Sequence, residues 1–298
     1  MCATKPSGMH SEVTHFFDPK VDIIFRALFT SPKWGQECLL SFINSSLMHG
    51  VSSGLKHEMI VEVEVDDANL LPEIVDGKLS ILDIKAKDPK GRKYNIEMQV
   101  SSLPNMVPRV LYYWSKLYSE ELKKGEEYQE LTPTISIVLM NWKLSEDDKF
   151  HHVYEILERD THERLIDHME LHFLELVKLQ DLQPKDSLLA WLLFFKDPNG
   201  PWKADIMKAS PGVKRAYDQL GDMENDPKMR TLYELREKSL HDINSLVGAA
   251  RREGKLEGKL EGRNEALYEI VRKMKASGQN ASLISQITGL SLEEILKA

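Results

Sequence analysis

The chain has 298 residues, with 39 Lys and Arg against 47 Asp and Glu, a formal net charge of −8. That length can bury a large core and points to one sizeable domain with an appendage. The acidic balance argues against a protein that holds nucleic acid by bulk electrostatics, while leaving room for an enzyme that meets DNA locally with a metal ion offsetting an acidic site. The two cysteines, Cys2 and Cys38, are too few for a disulfide framework or a cysteine metal site and suit a reducing cytoplasm. The opening MCATKPSGMHSEV lacks the apolar core of a signal peptide, and the longest apolar run, Leu188 to Phe195, falls short of the ~20 residues that cross a bilayer. A cytoplasmic protein with no membrane partner is expected.

In chain order, Asp18 and Pro19 lead into a helical pattern that places Val21, Phe25, Leu28 and Phe29 on one face and stops at Pro32. Trp34 to Leu47 reads as a second amphipathic helix. Asp22, on the first helix, is placed to pair with Arg26 four positions on. Glu58 to Asp66 alternates, with Met59, Val61, Val63 and Val65 on one side and Glu58, Glu62 and Glu64 on the other, which predicts an edge strand with a charged outer face.

Ser80 to Val100, SILDIKAKDPKGRKYNIEMQV, is the stretch around which the chain is organised. Two alternating runs flank the turn signal Asp88-Pro89-Lys90-Gly91, predicting a β-hairpin. Centred on Lys90, the register sets Leu82 opposite Met98, Ile84 opposite Ile96 and Ala86 opposite Tyr94, all apolar. The other face pairs Asp83 with Glu97 and Lys85 with Asn95, with Gln99 one step along, and a one-residue slip would mix the two sets. Carboxylates directly opposite on neighbouring strands are destabilising unless something lies between them. Two readings stand. A hard divalent cation, magnesium or manganese, is held there by oxygen ligands, or the face is solvated and Lys85 neutralises its acidic neighbours.

Past the hairpin, a helix is expected from Arg109 to about Lys124, with Leu111, Trp114, Tyr118 and Leu122 as its buried stripe. Arg109 and Tyr112 lie off that stripe. Should the helix pack beside Glu97 and Gln99, Arg109 suits a phosphate contact; otherwise it pairs with a nearby acid. Thr134 to Trp142 is almost continuously apolar, a buried strand after a helical crossover. His151 to Glu158 and His168 to Leu176 read as strands, with His151, His152, His168 and His172 as surface histidines. Ser187 to Phe195 is a buried helix, and a helical lobe follows between Val213 and Leu246.

The tail repeats Glu253-Gly-Lys-Leu, Glu257-Gly-Lys-Leu and Glu261-Gly-Arg-Asn every four residues. Glycine costs a helix up to ~1 kcal/mol each relative to alanine, so a flexible connector is expected, with self-association through a glycine stripe as the other reading. Asn280 to Thr288 and Ser291 to Leu296 make two short helices, the second opened by a Ser291-x-x-Glu294 capping box.

The run LDIKAKDPKGRKYNIEMQ followed by RVLYYWSKLYSEELKKGEEYQELTPTISIV resembles the Rpn family of recombination-promoting nucleases, transposase-like PD-(D/E)XK proteins, from about Phe17 to Leu176. The resemblance implies an α/β fold with a restriction-endonuclease-like core of helix, three strands, helix and strand, plus added strands and a C-terminal helical tail. The patterning itself divides the chain into a nuclease-like domain over 1–200, a helical lobe over 201–250 and a Gly-rich repeat connector with a short helical element over 251–298. The resemblance further implies a Mg2+- or Mn2+-dependent DNA endonuclease linked to recombination or mobile elements. Asp83, Glu97, the Met98 carbonyl and, as a third acid on the first helix, Asp22 become candidate metal ligands. Gln99 stands where such sites usually carry lysine, and it can orient a water but carries no charge, which Lys85 on the same face would restore. Arg109 becomes the candidate phosphate contact, since an arginine leads this helix in the family too. The rival is an inactive nuclease-fold protein that assembles through its tail.

Overall fold

The structure is a computed structural model that describes residues 16–49, 58–65, 74–75, 78–79, 84–101, 105–120, 122, 125 and 127–297. The helices are α1 (Asp22–Thr30), α2 (Gly35–Met48), α3 (Met106–Ser119), α4 (Ser187–Lys196), α5 (Lys203–Ala209), α6 (Pro211–Asn225), α7 (Pro227–Ala276), α8 (Ala281–Thr288) and α9 (Leu292–Lys297). The strands are β1 (Glu64–Val65), β2 (Ile74–Val75), β3 (Lys78–Leu79), β4 (Ile84–Lys87), β5 (Lys93–Gln99), β6 (Thr134–Met140), β7 (His151–Glu155) and β8 (Met169–Glu175). Among the described residues the main sheet runs β1-β4-β5-β6-β8-β7, and β2 pairs with β3 separately. β5, β6 and β8 are mutually parallel, while β4 and β7 run antiparallel to their neighbours. The result is an α/β fold around a mixed sheet.

The hairpin has the expected register: Ile84 faces Ile96, Lys85 faces Asn95 and Ala86 faces Tyr94. The pairs Leu82–Met98 and Asp83–Glu97 lie outside the described residues. Asp88 organises the turn, accepting from the backbone N–H groups of Lys90 and Arg92 and from Arg92 Nε and the Tyr94 hydroxyl. Gly91, at φ +83°, occupies the left-handed region that glycine enters without penalty. Burial and the Asp88 carboxylate together raise the Tyr94 hydroxyl pKa well above its ordinary value.

One sheet face carries Ile84, Ala86, Tyr94, Ile96, Ile135, Ile137, Leu139 and Leu174 into the main core. That core is completed by α1, α2, α4 and α6, with Phe25, Phe29, Phe42, Trp191 and Phe195 in mutual ring contact. α3 covers the opposite face, where Met106 and Val110 join Val138, Met140, Leu171 and Phe173.

Several local expectations need correcting. Over Glu58 to Val65 only Glu64 and Val65 are strand, and Met59 and Val61 are 65% and 81% exposed. Asn44 takes both the N–H and the carbonyl of Ile60, so this backbone satisfies its hydrogen bonds without a partner strand. α3 begins at Met106, three residues early, with Pro108 tolerated in its first turn. Its buried positions are Met106, Val110 and Leu117, rotating Leu111 outward. The glycine repeat lies within helix α7, continuous from Pro227 to Ala276. Strong helix formers (Glu, Lys, Leu, Arg) surround each glycine, and the helix is already nucleated at Met229, Leu232 and Tyr233, which pack on the main core. By contacts the chain divides into Met1–Arg236 and Glu237–Ala298. The second unit has its own small core of Val271, Ile284 and Ile295, and the Ser291–Glu294 capping box is formed. No helix among the described residues is long and apolar enough to cross a membrane.

Two of the histidines expected at the surface are buried. His151 and His172 are 7% and 2% exposed, because β7 pairs with β8 and turns both onto the main-core face at the end of α2. There they form a row: His49 Nδ1 lies 3.1 Å from His151 Nδ1, His151 Nε2 lies 3.0 Å from His172 Nδ1, and His172 Nε2 lies 3.2 Å from Glu170 Oε2. Asp186 stands 3.8 Å from His49 Nε2 at the outer end. Desolvation, reinforced by the charges of His172, His49, His152 and Lys149, holds the His151 pKa down to about 2.

Two tests follow from this packing. The folded state keeps His151 neutral while the unfolded chain protonates below ~6.5, so stability falls as pH drops below that value, by up to ~1.4 kcal/mol per unit for this group. Urea unfolding between pH 7.5 and 5 checks it: His151→Phe should be less stable at neutral pH yet show a shallower acid loss, and an equal slope would refute the assignment. At Gly212, where α6 crosses α2, an added Cβ would sit 2.1 Å from Ser41 Oγ and 2.3 Å from Ser41 Cβ. Gly212→Ala should therefore lower unfolding stability by about 1–3 kcal/mol, measured on the same urea curves.

Candidate active site

On β5 the odd residues turn away from the main core towards the layer that holds α3. Asn95, Glu97 and Gln99 are 3%, 3% and 4% exposed, opposite Ser136, Val138 and Met140 of β6. Glu97 is held from both sides along its own strand: Asn95 Nδ2 donates to Oε1 at 2.8 Å and Gln99 Nε2 donates to Oε2 at 3.2 Å. A carboxylate this deep is costly without donors, and the amides at two residues' spacing supply them. Lys93 continues the row and donates from Nζ to the Leu117 carbonyl of α3 at 3.0 Å.

The remaining candidates fall in different places. Lys85 is exposed on β4 opposite Asn95, on the same sheet face as Glu97. Asp83 lies outside the described residues. The Met98 side chain points into the main core. Its backbone groups face β4, since Lys93 N–H and the Gln99 carbonyl, at odd positions, bond towards β6. Arg109 is half-buried on α3 with its guanidinium 5.4 Å from the Tyr113 ring centre. Asp22 sits on α1, in the helix layer against the other sheet face. Its carboxylate is clasped by Arg236, through Nε at 2.9 Å and through Nη2, and its Oδ1 also accepts from the Ile23 N–H. The structure thus brings Glu97, Gln99 and Lys85 to one face and leaves Asp22 in an ion pair.

Sequence reasoning placed Asn95 on this face without giving it a part. The available signal was its parity, two residues from Glu97 on a strand. Asn95 Oδ1, and on the neighbouring strand β6 Ser136 Oγ and Thr134 Oγ1, are buried without a hydrogen-bond partner. Such orphans are rare in a packed interior and mark a place where something else completes the set. The Glu97 carboxylate is a hard oxygen donor, which is the chemistry magnesium and manganese take. Among the described residues no three His, Cys, Asp or Glu side chains converge. On β5 the described residues offer one carboxylate, Glu97, towards such an ion.

No curated protein and no solved structure matches the chain. The model of one family, described as PD-(D/E)XK nuclease family transposase, matches residues 19–250. The mixed α/β sheet is consistent with that superfamily, and the match covers both sheet and site. The chain belongs to the PD-(D/E)XK nuclease family transposases.

Proposed function

We propose that the protein is a divalent-metal-dependent DNA endonuclease of the cytoplasm, acting on recombining or mobile DNA, with the restriction-endonuclease-like core formed by α1, β1, β4, β5, α3 and β6. The observation that carries this reading is the buried Asn95–Glu97–Gln99 row beside orphaned polar atoms, in a chain of this family. Glu97, Asp83 and the Met98 carbonyl would hold Mg2+ or Mn2+. Asp22 would join them only by leaving Arg236. When bound, such an ion polarises the scissile phosphate and lowers the pKa of an attacking water.

The chain's own residues do the rest. Gln99 orients a water through its amide and, being neutral, adds no charge at the position lysine usually fills. Lys85 and Arg109 supply positive charge at the phosphate, Arg109 through a planar fork suited to it. Asn95 keeps Glu97 turned towards α3.

A second reading is favoured by one feature. α7 exposes Leu246, Leu256 and Leu260 along its glycine-rich stretch, as a tail that self-associates without catalysis would. Supercoiled plasmid separates the two. Wild-type protein should nick it with magnesium and not with chelator, and Asp83→Ala or Glu97→Ala should slow nicking more than about a hundredfold, beyond the usual cost of losing a metal's outer-shell partner. Gln99→Lys should retain nicking and Gln99→Ala lose it. Nicking that survives equally in both carboxylate variants would remove the site, and its absence from wild type would leave the assembly reading.

A further inference from the structure

α3 is the helix that overlies the Glu97 face, and its outward side has an unusual make-up for this chain. MVPRVLYYWSKLYS contains two cations and no carboxylate, in a protein whose net charge is −8. Tyr112 and Tyr113 are 55% and 41% exposed, presenting two largely hydrocarbon rings side by side to solvent. Each is flanked by a cation one turn away: Lys116 Nζ lies 5.3 Å from the Tyr112 ring centre and the Arg109 guanidinium 5.4 Å from that of Tyr113. The two rings meet edge to face at 5.5 Å, so Arg109, Tyr113, Tyr112 and Lys116 make one continuous patch. Lys85 and Lys87 stand exposed on the same sheet face.

The helix is also anchored. Trp114 Nε1 donates to the Thr134 carbonyl at 2.8 Å and Lys93 Nζ to the Leu117 carbonyl. Its later turns are thereby pinned over the starts of β5 and β6. The chain leaves β5 at Gln99 and enters α3 at Met106, so the first turns lie towards the carboxyl ends of those strands, where Glu97 and Gln99 sit.

We infer that this patch binds single-stranded DNA, its two tyrosines stacking on unpaired bases while Arg109 and Lys116 meet the phosphates. Paired bases in a duplex present only their edges, whereas every unpaired base offers a face to an aromatic ring, with cations tracking the backbone. The inference rests on the nuclease reading and narrows its substrate to DNA with unpaired bases at the cut.

The test is fluorescence anisotropy with a short labelled single-stranded DNA, its fully paired duplex and the same sequence as RNA, all in chelator so that nothing is cut. The single-stranded DNA should bind more tightly than the duplex. Tyr112→Ala with Tyr113→Ala should weaken that binding by about tenfold or more, and the paired Phe substitutions should restore it. Binding unchanged by the alanine pair, preference for the duplex, or preference for RNA would each overturn the inference. Plasmid nicking run in parallel keeps the failures apart: Glu97-dependent nicking with no effect of the tyrosines sinks this inference alone, whereas no nicking and no DNA binding sinks the nuclease reading with it.

Discussion

The alternation of side chains along β5 is the constraint on which the rest of the structure depends. Tyr94 and Ile96 point into an apolar core lined by helices, while Asn95, Glu97 and Gln99 point the other way into a polar seam under one helix. A strand buried on both faces ordinarily reads as continuous Val, Ile and Leu. β6 obeys that pattern through Ile137 to Met140, and β5, its direct parallel neighbour, breaks it. Packing hydrocarbon in place of a buried charge is often neutral or stabilising, so stability alone does not account for a glutamate here. Local violations of folding rules collect where function needs them.

How the carboxylate is kept follows from the same geometry. Residues two apart on a strand lie on one face, so amides at 95 and 99 reach 97 without help from another element. Each turns its N–H towards the carboxylate, since a carbonyl oxygen there would repel it. The consequence for Asn95 is that its Oδ1 must face away, and it finds no partner. The orphaned oxygen is thus a result of holding Glu97 in place. Glu97 and Gln99 themselves lie towards the carboxyl end of β5, the side on which open α/β sheets usually form a ligand crevice.

Much of this was legible in the sequence, for identifiable reasons. The Asp88-Pro89-Lys90-Gly91 turn admits one register that keeps apolar and polar sets apart, and Ile84–Ile96 and Ala86–Tyr94 obey it. The stripe of α3 differs from the expected one at Leu111 because Leu111 is as apolar as Val110, and only the position of β6 decides which of them turns inward. Glu58 to Val63 looked like a strand because alternation reports a preferred surface, not a partner, and Asn44 had already taken Ile60. The buried histidine row was hidden because its members come from α2, β7 and β8, and none of those segments says where the other two pass. Likewise, no local pattern could pair Asp22 with Arg236, 214 residues away; the nearer Arg26 was the natural guess.

The acidic balance of the chain then bears on how it could approach DNA at all. A net charge of −8 forgoes the counterion release by which basic proteins hold a duplex over many phosphates. At physiological ionic strength, however, charges are screened beyond ~8 Å, so what a phosphate meets at the surface is the local set of side chains, not the total. Among the described residues, the cations of β4 and α3 are Lys85, Lys87, Arg109 and Lys116, with two tyrosines beside the last two. Few cations mean weak long-range attraction and a poor hold on intact duplex. Aromatic stacking needs no net positive charge, and a divalent ion would bring its own. Under the proposed reading, such a protein would gain its grip where bases are already unpaired and a metal is in place, and the small number of local cations would disfavour ordinary double-stranded DNA.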